Sequence, residues 1–344
     1  MSDKQFRWGI MGGGQIANVF CNALRFSSTS MLYAIASLNP TRRQHLAKQF
    51  QSPKQYAQYE DLCNDPDVDA IYIATQNSAH AQCAILAAKY GKHVLVEKPI
   101  AITEQECSEM ITAAHKSNIH LMEGFMYQFH PQMKYARELI QSGRLGEVKY
   151  IESSFGYHAD PRSHRVFKSE TGGGAILDVG CYPVSMSRWL AQVILDTEYE
   201  EPVKLKACGH LGVTGVDTHS SLILQFPKQL LATISTSILV DLPNQTIVCG
   251  TEGQLTFTQP WLPSSPCRLA TQALPLDTIF PPTKIQLDNH NNTREEVIIR
   301  VNKDLFSYEI DAFVTRVQHK TNQQSSWSNS LQNLKILSQW RHAL

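Results

Sequence analysis

No stretch of the chain approaches the roughly 20 consecutive apolar residues that span a bilayer, and Met1-Ser2-Asp3-Lys4-Gln5 carries no apolar signal region. A soluble, cytoplasmic protein without membrane attachment is expected. Excess charge is missing too: 31 basic residues balance 31 acidic ones and no basic run occurs, so nothing attracts nucleic acid or anionic lipid as a partner. The eight cysteines never fall at a C-x-x-C spacing. That removes a disulfide framework and a zinc ribbon, and leaves small reduced core residues. No His/Asp/Glu cluster has metal-ligand spacing, so no metal is expected. What is present is length: 344 residues suffice for two domains, each with its own core.

The first half alternates strand and helix. Phe6-Arg7-Trp8-Gly9-Ile10-Met11 reads as a strand feeding Gly12-Gly13-Gly14-Gln15-Ile16-Ala17, after which Val19, Phe20, Ala23 and Leu24 recur at helical spacing. This is G-x-G-x-x-A between a strand and a helix. Gly12 permits the tight turn, Gly14 lets backbone approach a pyrophosphate, and the helix start at Gln15 and Ile16 offers amides to it. The second strand, Met31 to Ala36, ends in Ser37-Leu38-Asn39 without the acidic residue that binds an adenosine ribose hydroxyl. Ser37 offers a hydroxyl and Arg42-Arg43 follow, where a guanidinium suits a 2'-phosphate. NADP is favoured over NAD.

A short helix over residues 59–65 precedes the strand Ala70 to Thr75, whose exit carries Gln76-Asn77-Ser78-Ala79-His80. Thr75, Asn77 and His80 thus join the cofactor candidates at the same sheet edge, with Asn77 or Ser78 as cap of the following helix. His93-Val94-Leu95-Val96-Glu97-Lys98-Pro99 reads as a buried strand stopped by Pro99, which sets Glu97 and Lys98 at its carboxyl end, where open α/β sheets bind ligands. Thr103 and Glu106 are spaced as a capping box, and Ile119 to Glu123 is the last strand of this half. The pattern calls for a doubly wound parallel sheet.

At Val94 to Pro99, at Met122-Glu123-Gly124-Phe125-Met126-Tyr127-Gln128-Phe129-His130-Pro131, and at Gly172-Gly173-Gly174-Ala175-Ile176-Leu177-Asp178-Val179-Gly180-Cys181-Tyr182, the sequence resembles the Gfo/Idh/MocA family of oxidoreductases. The D-x-G-x-Y ending resembles the branch holding glucose-fructose oxidoreductase, dimeric dihydrodiol dehydrogenase and D-xylose dehydrogenases. The resemblance implies an N-terminal Rossmann domain over 1–124 and a C-terminal α+β domain over 125–344, built on a mostly antiparallel open sheet. It also implies hydride transfer between a nicotinamide cofactor, NADP or NAD, and a hydroxyl or carbonyl of a cyclic sugar or related polyol.

Such an oxidation needs a base, because a bare alkoxide in a dry site is too costly to form first. A phenol is a poor base at neutral pH unless an ammonium nearby stabilises the phenolate. Tyr182 is accordingly the expected general acid/base, and Lys98 its electrostatic partner and a donor to the substrate hydroxyl, with the resemblance leaving open which of the two moves the proton. Asp178 lies four residues before Tyr182, on one helix face, and is expected to bind a second hydroxyl or orient Lys98. Pro183 removes a helix hydrogen bond directly after Tyr182, so a kink or broken turn is expected around Val179.

Residues 158–165 form a polar, proline-broken loop expected to overhang the crevice, with His164 and Arg165 as candidate substrate contacts. His130 reads as structural. A helix over 184–191 and short strands from Lys204 to Val301 complete the second domain, with a Pro/Ser-rich arm over 260–282 and closing helices at 305–319 and 328–342. Trp327 is expected to staple the last helix. Helices on one sheet face leave Ile, Leu and Val on the other, which implies a homodimer or dimer of dimers. Two competing readings are a nucleotide-sensing regulator without turnover and a redox-assisted lyase or glycosidase.

Overall fold

The computed structural model describes residues 5–161, 164–197, 201–289 and 293–344. Arg162 and Ser163, part of the expected polar loop, lie outside the described residues. In chain order the elements begin β1 Phe6–Met11, α1 Gln15–Leu24, β2 Ser30–Ala36, α2 Pro40–Phe50, β3 Lys54–Tyr56, α3 Tyr59–Asn64, β4 Ala70–Ile73, α4 His80–Lys89, β5 His93–Glu97, α5 Glu104–Lys116 and β6 Leu121–Gly124. There follow α6 Pro131–Gln141, β7 Val148–Gly156, α7 Cys181–Leu195, β8 Lys204–Leu211, β9 Asp217–Gln225, β10 Leu231–Ser237, β11 Thr246–Gly250 and β12 Gly253–Phe257. The chain closes with β13 Thr283–Asn289, β14 Arg294–Ile299, α8 Leu305–Gln318 and α9 Gln324–His342.

These elements form two compact units that are not consecutive pieces of sequence. One comprises Met1–His130, Ser264–Pro281 and Val301–Ser330; the other Pro131–Pro263, Pro282–Arg300 and Leu331–Leu344. A single division after Gly124 therefore describes only part of the partition, because two later segments pack into the first unit.

In the first unit six strands run parallel in the order β3-β2-β1-β4-β5-β6. β4 and residues 94–97 of β5 are wholly buried, which is why they read as unbroken apolar runs. The strand order reverses at β1/β4, so the ligand crevice of this sheet lies where Gly12, Thr75 and Lys98 leave their strands. β3 escapes a reading of the sequence because Lys-Gln-Tyr is neither apolar nor alternating; it is an edge strand paired to Ala34–Ala36. Thr103 and Glu106 make both bonds of the capping box. Asn77 instead opens a 3₁₀ turn, Asn77–Ala79, ahead of α4, and neither turn nor helix has a side-chain cap bond.

Aromatic residues knit this core. Phe20 of α1 stacks on Tyr72 of β4 at 3.7 Å, and Trp8 meets Phe20 and Phe313 at 5.3 and 5.0 Å. Trp327 donates its indole N–H to the Leu121 carbonyl at 3.2 Å and so staples the start of α9 to β6. His130 is buried against Tyr308, and burial lowers its pKa to about 4, a structural histidine.

The second unit holds an eight-stranded sheet in the order β14-β13-β12-β11-β7-β10-β9-β8, antiparallel except where β7 and β10 run parallel. Along β9, Ser220, Leu222 and Leu224 are buried while His219, Ser221 and Ile223 are exposed; along β10, Ala232 and Ile234 alternate with Leu231, Thr233 and Ser235. The outer face is thus richer in hydroxyls than the expected Ile/Leu/Val surface. No helix among the described residues is long and apolar enough to cross a membrane. The cysteines are free and six are buried, but Cys208 is exposed on edge strand β8 and Cys249 is half-buried.

Glu309 on α8 is fully buried, and neither carboxyl oxygen has a hydrogen-bond partner among the described residues. Burial first, and the neighbouring Glu97 second, push its pKa well above the carboxylate range. The folded chain therefore keeps a proton that the unfolded chain loses above pH ~4.3, and stability falls with rising pH by up to about 1.4 kcal/mol per unit. Glu309→Gln keeps the shape without the titration. Its excess stability over the unmodified protein should grow as the pH rises above about 4 in thermal unfolding; a constant difference would mean that the Glu309 pKa is not raised by folding.

Candidate active site

The turn after β1 is shaped for close backbone approach. Gly12 has φ +120°, and a Cβ there would stand 2.5 Å from the Ala74 carbonyl oxygen, so only glycine passes. Gly14, the N-cap of α1, has open space where its Cβ would be and no side-chain cap bond; the first turn of α1 carries no acidic residue. The amides at Gln15 and Ile16 and the positive helix end are left for an anion. This cradle fits the diphosphate of a dinucleotide. A Cβ on Gly13 would meet Ser37 Oγ at 3.0 Å and Arg42 Cβ at 3.1 Å, which sets both residues beside the turn.

The two arginines have different duties. Arg43 donates to the Ser37 carbonyl at 2.7 Å and fixes the exit of β2. Arg42 has its amide held by Asn39 Oδ1 at 3.0 Å, capping α2, while its side chain extends into solvent. His80 departs from its expected role. It is fully buried, and its Nδ1–H donates to the Pro99 carbonyl at 2.9 Å. Its ring belongs to the wall behind the β5 exit, because the buried Pro99 carbonyl requires a donor. Asn77 is buried in its 3₁₀ turn, and half-exposed Thr75 sits just before it.

At the end of β5 the Glu97 carboxylate accepts from the Tyr72 hydroxyl and, at 3.2 Å, from the Lys98 amide. Glu97 is 7% exposed, so it braces the strand end rather than offering itself as a ligand. Burial raises its pKa, and the Lys98 charge and the Tyr72 bond counter that. Glu123 of β6 accepts the Ile100 amide at 2.9 Å, with its pKa pushed up to about 7 by burial. Lys98 emerges half-exposed from this frame.

In the second unit the expected break at Pro183 takes a definite form: Ile176–Gly180 is a π-helical turn leading into α7. Its start is tethered by Asp217 of β9, which accepts the Ile176 amide at 2.6 Å and lies so near Gly174 that a Cβ there would stand 2.3 Å from Oδ1. Asp178 in the π turn accepts from the Tyr157 hydroxyl at 2.6 Å and faces Arg165 Nη2 at 3.4 Å. Tyr182 packs on Phe155 and Trp261 at 5.2 and 5.8 Å; those two rings are themselves stacked, 5.6 Å apart and 7° from parallel. Phe155 and Tyr157 are alternate residues of one extended stretch, so they point the same way on the order of 7 Å apart. Asp178 and Tyr182 thus each pack against this stretch, one at Tyr157 and the other at Phe155.

His164 is brought near this pair in another capacity: its Nδ1 accepts the Val166 amide at 3.4 Å and its ring lies 6.1 Å from that of Tyr157. Nor does the described part of the 158–165 loop hang free. Ala159 is buried with Val166, Phe167, Ala175, Val216 and Ile238, a small apolar cluster that anchors both ends of the loop. Among the described residues no group of His, Cys, Asp or Glu is placed to hold a metal.

Tyr72, Phe155, Tyr157 and Trp261 were not singled out by the sequence. The i, i+2 aromatics at 155 and 157 carry a faint signal on a strand face; Trp261, in a Pro/Ser-rich stretch, carries none. Its place is fixed by its indole N–H, which donates to the Ser154 carbonyl at 3.0 Å.

The model of the oxidoreductase family with NAD-binding Rossmann fold, GFO_IDH_MocA, matches residues 6–125, and the GFO/IDH/MocA C-terminal domain matches 133–256. A trans-1,2-dihydrobenzene-1,2-diol dehydrogenase of Xenopus tropicalis is 36% identical over 262 residues, 75% of this chain and 77% of the relative. The Homo sapiens enzyme of the same description is 31% identical over 261 residues, 75% and 76% of the two chains. Among solved structures, a 3-ketoreductase from Actinomadura kijaniata in complex with NADP and TDP-benzene superposes with TM-score 0.85 at 23% identity, covering 99% of this chain and 98% of that one. An aldose-aldose oxidoreductase from Caulobacter crescentus gives 0.82 at 23%, over 99% and 97%.

Tyr157→Phe removes the hydrogen bond from the Tyr157 hydroxyl to the buried Asp178 carboxylate. With the bond gone, Asp178 is less firmly oriented, and a fall in kcat/KM of about tenfold is expected with unchanged nucleotide affinity. Steady-state kinetics with a nucleotide titration checks this; an unchanged kcat/KM would remove Tyr157 from the site.

Proposed function

The chain belongs to the Gfo/Idh/MocA family of oxidoreductases, and from that membership we propose that it is an NADP-preferring dehydrogenase of cyclic vicinal diols whose ring has an apolar face, of the trans-dihydrodiol kind. The observation that carries the substrate reading is Tyr182 set against the stacked Phe155 and Trp261, with the Asp178 carboxylate beside it. Aromatic rings favour a flat apolar ring, and a carboxylate in the same turn of chain as Tyr182 favours a hydroxyl on it.

Each residue has a task that follows from its surroundings. Tyr182 takes the proton from the reacting hydroxyl oxygen, or returns it in reduction. Lys98, on rigid backbone at the β5 end, donates a hydrogen bond to that oxygen and stabilises its developing charge. Asp178, held by the Tyr157 hydroxyl and facing Arg165, accepts from the neighbouring hydroxyl. The bound nicotinamide supplies the hydride acceptor. Gly12, Gly14, Gln15 and Ile16 hold the diphosphate, with Thr75 and Asn77 beside them.

The preference for NADP rests on the exit of β2. Ser37 replaces an acidic residue there, and Arg42, beside the glycine turn with its guanidinium in solvent, suits a 2'-phosphate. The outer face of the eight-stranded sheet, with Ile223 and Leu231 at 47% and 37% exposure among hydroxyls, is proposed as a homodimer interface.

Lys98→Ala and Tyr182→Phe should each lower kcat/KM by at least about a hundredfold while NADPH binding persists, and the double variant should lose little more than either alone. Rates of NADP and NAD reduction with a trans-dihydrodiol, D-xylose and D-glucose test the substrate and cofactor readings. A preference for either sugar would overturn the first, and a preference for NAD the second. Ile223→Asp should halve the mass measured by light scattering; an unmodified protein of monomer mass would end the dimer proposal.

A further inference from the structure

The segment Ser264–Pro281 lies far along the sequence yet packs with the dinucleotide-binding unit, and nothing in the sequence suggests why. Its backbone is sewn to α1: Asn18 donates to the Ala270 carbonyl at 2.8 Å, Asn22 donates to the Gln272 carbonyl at 3.1 Å, and Asn22 Oδ1 accepts the Leu274 amide at 2.8 Å. Upstream, Asp304, the N-cap of α8, accepts the Cys267 amide at 3.1 Å. Farther on, Phe280 meets Phe26, just beyond α1, edge to face at 5.0 Å.

Arg268 falls between two of these anchors, Cys267 and Ala270, in the 3₁₀ turn Pro266–Leu269. Asn18 is one turn from Gly14, so the 3₁₀ turn is held beside the first turn of α1, where the glycine cradle opens. The guanidinium is also near enough to Glu97 at the β5 end for its charge to favour the carboxylate there. Arg268 is half-exposed and forms no ion pair with any described residue. A cation held between the glycine turn and the exit of β5, unpaired among the described residues, stands along the path that a dinucleotide's diphosphate takes across such a sheet.

We propose that Arg268 is a diphosphate-binding residue, carried to the cofactor by the 264–281 segment. The glycine turn supplies amides and a partial charge, but two full negative charges remain; a guanidinium neutralises one and binds two oxygens at once. The assignment rests on the dinucleotide reading of the Gly12–Gly14 turn and adds a residue that no glycine pattern specifies.

Nucleotide binding, read by NADPH fluorescence and by calorimetry with 2'-AMP, separates the two. Arg268→Ala should bind NADPH about tenfold more weakly than the unmodified chain, with an unchanged melting temperature. Its affinity for 2'-AMP, which has the 2'-phosphate but no diphosphate, should stay the same, whereas Arg42→Ala should weaken both ligands. Arg268→Lys should recover part of the NADPH affinity, as a charge without the fork. Undiminished NADPH binding by Arg268→Ala, or an equal loss for both ligands, would overturn the assignment of Arg268 alone. Failure of the unmodified chain to bind NADPH or NADH saturably would overturn the dinucleotide reading, and the assignment with it.

Discussion

Three buried side chains grip the backbone that follows β5, and the cofactor end of the molecule depends on that grip. Glu97 takes the Lys98 amide, His80 donates to the Pro99 carbonyl, and Glu123 takes the Ile100 amide. A strand that ends at a proline would otherwise leave polar groups unsatisfied in a closed interior, at a cost of about 1–3 kcal/mol each. Here they are claimed by residues of β5, α4 and β6. Lys98, between them, has little backbone freedom, so its long side chain swings from a fixed root.

The grip extends to the glycine turn through one residue. Tyr72 gives its hydroxyl to Glu97 and lays its ring on Phe20, and Phe20 belongs to the helix that starts at the glycine turn. Moving α1 would disturb the stack, and through it the carboxylate behind Lys98. Acidity is concentrated at the same place: Glu97, Glu123 and Glu309 are all buried, with pKa values raised chiefly by burial. They cannot all ionise cheaply in a low dielectric. Glu309, with no hydrogen-bond partner among the described residues, is the one whose pKa burial raises furthest from the carboxylate range, while Glu97 accepts from Tyr72 and the Lys98 amide.

What the sequence made legible was fixed by backbone. Gly12, Gly14 and the β5 stop at Pro99 impose conformations that few residues allow, so their types betray their places. The Thr103–Glu106 capping box was visible for the same reason, and the proline after Tyr182 announced an irregular turn, though not its π form. Residues acting through long-range bonds were opaque. His80 looked like a ligand because its position on the strand exit was right, and only the structure shows that the Pro99 carbonyl has taken its donor. Arg42 and Arg43 are neighbours of identical type, yet one is spent on Ser37 and the other is free of that duty. Tyr157 and Asp178 are 21 residues apart and β3 has no apolar pattern, so neither had a local signal.

The two ends of the chemistry thus differ in kind. The proposed dinucleotide contacts are a turn, a helix end and strand exits, features of the fold that change only if the fold does. The proposed substrate contacts are side chains gathered from β7, the π turn and the stretch after β12, held by hydrogen bonds such as Trp261 to Ser154. Substituting those side chains costs little backbone energy, because none occupies a strained conformation. A fold of this design can therefore exchange one cyclic substrate for another while its cofactor and its Lys98 frame stay put. That is the physical reason why the nicotinamide half of the activity follows from family membership alone, whereas the proposed substrate rests on the side chains Phe155, Trp261 and Asp178.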